Sequence, residues 1–408
     1  MSNNFTLATA QPAYPLAPTP KVVSKSPLAS PTAAVAAAAL LAPRLLTQAP
    51  KTDVVGGFPM QEFTWLREAG LLTAALPPAL GGVGLGDPAA TLQMLQMLYH
   101  IGRGNLAVGR LFEGHVNALL LVQRFGTPAQ VVKYAADARD GHLFGVWNTE
   151  NPANGVRLEL LADGCYRLHG AKTFASGAGH ITRPLLTGAL VGKKGWQMVV
   201  LPGDQERPTL DRSFWQPLGM RATASFIASV ERLEVSPTCL LGKPNDYYQQ
   251  PWFGGGAARF AAVQLGGAAA VLDETRRFLR RLGRTDDPYQ RQRLGELLTL
   301  HTTGQLWLQG AATHAALPAQ SGSALPPAEA DSTVTYANLM RSATEEICLQ
   351  TLRLAERSVG ARGLLQPEPF ERLHRDLTHY LRQPAPDAVL ADAGRFALGS
   401  DKPSFELW

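Results

Sequence analysis

Apolar residues recur at helical steps through the first third of the chain. Leu92, Leu95, Leu98 and Ile101 are spaced by three, and Leu119, Leu120 and Val122 continue the pattern. Phe63, Leu66, Leu71 and Leu72 flank a break at Ala69-Gly70, and the run Gly81-Gly82-Val83-Gly84-Leu85-Gly86 marks a sharp turn. These features predict an N-terminal α-helical domain over 33–142. The preceding segment, 1–32, is rich in Pro, Ala, Ser and Thr without periodicity and is read as a disordered tail.

The pattern changes near Gly141. Clusters of Val, Phe, Trp and Leu alternate with turn pairs at Asn154-Gly155, Asp163-Gly164, Gly192-Lys193 and Pro202-Gly203. Short strands such as Cys165–Leu168 and Trp196–Leu201 follow, which predicts a β-domain over 143–245. From Ala257 the helical period returns. Long helices are predicted over Ala257–Leu282 and Tyr289–Leu317, then a loop over 318–330. Asp331-Ser332 offers an N-cap for a third helix ending near Gly360, and a shorter one runs over Pro369–Leu381, stopped by Pro384-Ala385-Pro386. This α-helical region spans 246–395, and 396–408 forms a C-terminal tail. The order is α, β, α, with no internal repeat.

Composition narrows the picture. Charged residues make up 17% of the chain, below the roughly 25% usual in soluble domains, which implies extensive burial in a large core or in subunit contacts. The net charge of +5 is scattered and not interleaved with aromatics, so no nucleic-acid partner is expected. The Ala/Leu run Ala33–Leu41 is too short to cross a bilayer, so neither a membrane partner nor a secretory signal is expected. Cys165, Cys239 and Cys348 are too far apart for a zinc or disulfide framework, which suits a cytoplasmic protein. Glu371 and His374 form a single Glu-x-x-His pair where a di-iron bundle needs two, so no metal is expected.

More specific signals lie in local motifs. Phe58-Pro59, Leu66-Arg67-Glu68-Ala69-Gly70-Leu71-Leu72, Pro77 and the glycine turn open the chain. Trp147-Asn148-Thr149-Glu150 opens the β-domain. Gly170-Ala171-Lys172-Thr173-Phe174-Ala175-Ser176-Gly177 and Leu218-Gly219-Met220-Arg221-Ala222-Thr223-Ala224-Ser225 lie within it, and Gly360-Ala361-Arg362-Gly363 and Arg375-Asp376 follow in the helices. Together, over roughly 50–395, they resemble the acyl-CoA dehydrogenases. The resemblance implies an α+β fold with an N-terminal helical domain, a central β barrel or sandwich, and a C-terminal four-helix bundle. It also implies FAD, with homodimers or homotetramers sharing it across subunits.

By the same resemblance Trp147, Asn148, Thr149, Phe174, Ala175 and Ser176 are the flavin contacts. Phe174 would supply an apolar wall for the ring, and Ser176, two residues on, would face the same side. A pyrophosphate-binding arginine is expected from a neighbouring subunit; Arg280, Arg281 and Arg284 are candidates, and Arg284 is preferred. The family's usual activity is α,β-dehydrogenation of an acyl thioester, carried by CoA or a carrier protein, with a glutamate as base. This chain has Leu381-Arg382-Gln383-Pro384 at one family position for that glutamate and Gly254-Gly255-Gly256-Ala257-Ala258-Arg259 at the other. Asp376 and Glu150 are the catalytic candidates that remain, followed by Asp387, His374 and His379. Asp376 also reads as the structural partner of an arginine, and Asp387 as a helix cap. The leading expectation is a dehydrogenase with a relocated base and an electron-acceptor flavoprotein. The alternative is a monooxygenase of the same fold fed by a reductase, or a catalytically silent flavin-binding relative.

Overall fold

The computed structural model describes residues 28–315 and 327–407. Most of the expected N-terminal tail, and the loop over 318–326, lie outside the described residues. Helix α1 (Pro31–Thr52) is capped by Ser30, whose hydroxyl accepts from the Ala33 N–H at 3.1 Å. It therefore starts two residues inside the expected tail and extends well past the Ala/Leu run. At 22 residues it is long and apolar enough to span a bilayer, but here Ala34, Ala38, Ala42, Leu45 and Ala49 are buried. Helices α2 (Met60–Glu68), α3 (Thr91–Gly104), α4 (Leu106–Phe125) and α5 (Pro128–Arg139) complete the first region. Asn105 caps α4 through its side-chain oxygen.

The β-region follows as β1 (Phe144–Trp147), β2 (Arg157–Leu160), β3 (Tyr166–His169), β4 (Ala171–Ala175), β5 (Arg183–Leu190), β6 (Trp196–Val200), β7 (Thr209–Asp211), β8 (Phe226–Ser229), β9 (Glu234–Val235) and β10 (Leu240–Leu241). Seven strands form one sheet in the order β10-β6-β5-β2-β3-β9, with β1 also on β5. Both β1 and β2 run parallel to β5, end to end along its edge. A second antiparallel sheet has the order β4-β8-β7. The candidate site forms where β1 and β4, one from each sheet, end close together.

The C-terminal helices are α6 (Ala257–Arg281), α7 (Pro288–Ala315), α8 (Pro327–Gly363), α9 (Pro369–Tyr380) and α10 (Pro386–Leu398). Helix α8 begins upstream of the anticipated cap, so Asp331-Ser332 lies inside it; at Gly360 (φ 62°, ψ −170°) the helix bends. Helix α10 runs through Phe396 into the expected tail, and its N-cap is Ala385, so Asp387 sits exposed in its first turn and caps nothing. Helix α6 is the hub, packed against α3, α4, α7, α8 and α9. Its crossing with α3 is close because both sides are glycine. A Cβ at Gly102 would collide with the Val263 carbonyl, and one at Gly266 with that of Tyr99.

Candidate active site

Trp147 is the last residue of β1 and is buried. Its indole N–H donates to the Ser176 carbonyl at 2.9 Å, tying the end of one sheet to the end of the other. Beyond it, the Asn148 side-chain oxygen accepts from the Thr187 hydroxyl at 2.6 Å. Thr149 is exposed, while its carbonyl accepts the Thr173 N–H at 2.9 Å. These bonds hold the β1 exit against the start of the β4 turn.

On β4 the simple strand alternation fails. The pairing with β8 slips between Lys172 and Ala175, and Phe174 has φ 49°, in the left-handed region that a bulky residue rarely enters. Lys172 and Phe174 would share a face on a regular strand; instead Lys172 is fully buried and Phe174 is half exposed. The bulge turns the Phe174 ring outward, where it meets Phe214 edge-on at 5.0 Å and Trp215 at 6.3 Å. Trp215 in turn meets His379 edge-on at 5.5 Å. Burial lowers the His379 pKa, which leaves a neutral ring packed on an indole. Ala175 is buried opposite Phe226 and contributes backbone only.

Ser176 heads a hydroxyl chain. The Thr223 hydroxyl donates to the Met220 carbonyl at 2.9 Å, so its oxygen can only accept from Ser225, 2.8 Å away. Ser225, its proton used, accepts from Ser176 at 2.9 Å. The Ser176 oxygen is left as an acceptor at the chain's open end. Met220 (φ 58°) and Ala224 (φ 42°) flank this turn in left-handed conformations. Such strain is held only by surrounding structure, and it clusters at functional sites.

The clamp that holds it is Arg375-Asp376. The Met220 N–H donates to Asp376 Oδ1 at 2.6 Å, and Arg375 Nη1 donates to the Leu218 carbonyl at 3.2 Å. Gly219 lies directly on the Arg375 carbonyl, where no Cβ would fit. Burial pushes the Asp376 carboxyl up, while Arg372, 3.2 Å away, and the Met220 N–H hold it down. Asp376 is therefore a loop anchor, with both oxygens engaged. Glu150 is engaged as well: one oxygen pairs with the buried Lys172 ammonium, and the other accepts the Val156 N–H at 2.7 Å. His374 binds Glu356.

Arg284, expected to act on a neighbouring subunit, lies apart from these residues within its own chain. It is exposed just beyond α6, near Arg281, which pairs with Glu368 at the start of α9. His379 is at the other end of α9, eleven residues and about 16 Å further on. Sequence reasoning missed Phe214 and Trp215 and gave no individual role to Thr223 and Ser225. The last two belong to the loop that begins at Leu218, and the first two lie just before it, but the aromatic cluster depends on a bulge that no alternation rule reveals.

Residues 33–142 match the acyl-CoA dehydrogenase N-terminal domain, and residues 258–381 match the acyl-CoA dehydrogenase C-terminal domain. The chain belongs to the acyl-CoA dehydrogenase family. Within it, a dibenzothiophene monooxygenase of Mycolicibacterium goodii is 26% identical over 381 residues, 86% of this chain and 90% of that one. A probable FMNH2-dependent monooxygenase of Pseudomonas putida is 25% identical over 393 residues, covering 92% and 97%. The FMN-bound crystal structure of a dibenzothiophene monooxygenase from Paenibacillus superposes with a TM-score of 0.80 at 21% identity, over 91% of this chain and 98% of the other. Butyryl-CoA dehydrogenase from Megasphaera elsdenii superposes with a TM-score of 0.75 at 18% identity, over 90% of this chain and 98% of that one, so the acyl-CoA dehydrogenase fold extends over nearly the whole chain.

Proposed function

We propose that the chain is a flavin-dependent monooxygenase that receives reduced flavin, as FMN, from a separate reductase and oxygenates a small organic substrate. The observation that carries this reading is the state of the carboxylates. Dehydrogenation needs a base within reach of the acidic carbon, yet Asp376 anchors a loop and Glu150 pairs with Lys172. Oxygenation needs no such base. The names of the relatives point the same way.

The residues at the sheet ends fit a flavin ring. Phe174 offers an apolar face braced edge-on by Phe214 and Trp215, which keeps water from that side. The Ser176 oxygen, an acceptor at the end of its chain, suits the N–H donor that the ring carries when reduced. Thr149 is free to bond the ring edge from the β1 side. When bound, reduced flavin supplies the two electrons with which one atom of dioxygen enters the substrate and the other leaves as water.

The test has two arms. Under anaerobic conditions, protein loaded with oxidised FMN is titrated with acyl-CoAs of several lengths, and its spectrum stays oxidised. With a flavin reductase, NADH and oxygen, dibenzothiophene or indole as probe gains one oxygen by mass spectrometry. Bleaching by an acyl-CoA without oxygen would return the chain to the dehydrogenases.

A further inference from the structure

Helix α4 turns a polar stripe toward α6 and α9. Arg110, Glu113 and Asn117 are spaced by three and four and share one face. Glu113, nearly fully buried, accepts from Arg110 Nη1 at 3.1 Å and from the Asn117 amide. The Asn117 oxygen accepts from Nε of Arg259, in the first turn of α6. Tyr247 and Tyr380 complete the cluster. Burial raises both phenols, and the Glu113 carboxylate adds to the effect.

The cluster is incomplete in two ways. Its two guanidiniums face one carboxylate, and that carboxylate is spent on Arg110 and Asn117. Arg259 has only the neutral Asn117 amide as a hydrogen-bond partner among the described residues, and burial works against its charge. The Tyr380 hydroxyl is buried with no partner among the described residues. Glu113 supports the Arg259 charge only from a distance, with no hydrogen bond to it, so a partly buried cation with no hydrogen-bonded carboxylate and an orphaned phenol both cost stability until a ligand satisfies them.

The place is also significant. Gly114, beside Glu113, faces the Val146 N–H of β1, one residue before Trp147. Tyr380 follows His379, whose ring packs on Trp215. Chain neighbours of the cluster thus connect it to Trp147 and to Trp215. Arg259 lies within the one stretch where the family's glutamate is expected, and Tyr380 immediately precedes the other.

We infer that the Arg259–Tyr380 cluster is a substrate subsite for a carboxylate, with Arg259 forking onto its two oxygens and the Tyr380 hydroxyl donating to one of them. Glu113 and Asn117 are positioning residues that fix the Arg259 side chain. The inference rests on the monooxygenase reading of the neighbouring site and names an acidic substrate class for it.

Calorimetric titration of the whole purified chain tests it. The probes are benzoate, phenylacetate and octanoate, each paired with its amide. At least one acid binds tenfold or more tightly than its own amide. Arg259→Gln abolishes that preference, Arg259→Lys keeps part of it, and Tyr380→Phe, which preserves the packed ring, weakens the acid threefold or more. Equal binding of acids and amides, no binding of any acid, or a preference that survives Arg259→Gln overturns the subsite. FMN binding is followed by flavin fluorescence in the same samples. Intact FMN binding without acid preference rejects the subsite alone, whereas failure to bind FMN rejects the reading of the adjoining site.

Discussion

Ser176 has a role that depends on where one proton goes. With its own hydroxyl proton given to Ser225, it offers lone pairs outward. Ser176→Ala removes one hydrogen bond, a loss of about 1 kcal/mol, so FMN affinity falls several-fold in a fluorescence titration. Adding Phe174→Ala removes the ring's apolar wall and weakens it further; full retention by the double variant would count against this site. The sequence reading set both residues on one strand face, and the structure corrects that. They do not share a face by strand alternation, because the bulge at Phe174 breaks it. Lys172 and Glu150 show the opposite error. A carboxylate at the mouth of a β-domain reads as chemistry, until the buried ammonium beneath it is seen.

At the scale of elements, α4 is fastened to its neighbours by an imidazole. His115 is fully buried; its Nε2 donates to the Leu72 carbonyl at 2.7 Å, and its Nδ1 accepts the Phe144 N–H of β1 at 3.1 Å. That arrangement requires the neutral ring, and burial lowers its pKa from 6.5 to about 4. The unfolded chain takes up a proton near pH 6.5, before the folded one does. The contribution is therefore complete above that pH and is lost progressively as pH falls toward 4, by about 3 kcal/mol in all. Urea unfolding at a series of pH values should show this slope, and His115→Gln, which can make both bonds without titrating, should be flatter over the same window. Helical periodicity revealed α3, α6 and α9 well because their apolar faces are continuous. The start of α8 was misplaced because Asp331-Ser332 has the chemistry of a cap but lies inside a helix already begun at Pro327.

Across the whole molecule, the α-β-α order was legible in the changes of hydrophobic period, and the fold class in local motifs such as Gly170–Gly177 that resemble the acyl-CoA dehydrogenases. What ties the regions together was not, because it depends on contacts distant in sequence. Asp53 after α1, the Leu218–Met220 loop and α9 meet at Arg375 and Asp376. Asp376→Ala would leave Arg372 buried without its partner, a loss of about 3–5 kcal/mol, and should lower the unfolding temperature sharply. Asp376→Asn retains an acceptor for the Met220 N–H and should lose less. A catalytic base would behave otherwise, with activity abolished and stability little changed.

Trp147 and Trp215 both end at the proposed flavin contacts, one hydrogen-bonded to the Ser176 carbonyl and the other edge-on to Phe174. Two of the chain's seven indoles thus stand beside the place where a yellow chromophore would lie. Tryptophan emission overlaps flavin absorption, so filling the site should dim the protein's own light by energy transfer. The molecule carries a built-in optical gauge of its occupancy, readable without a label.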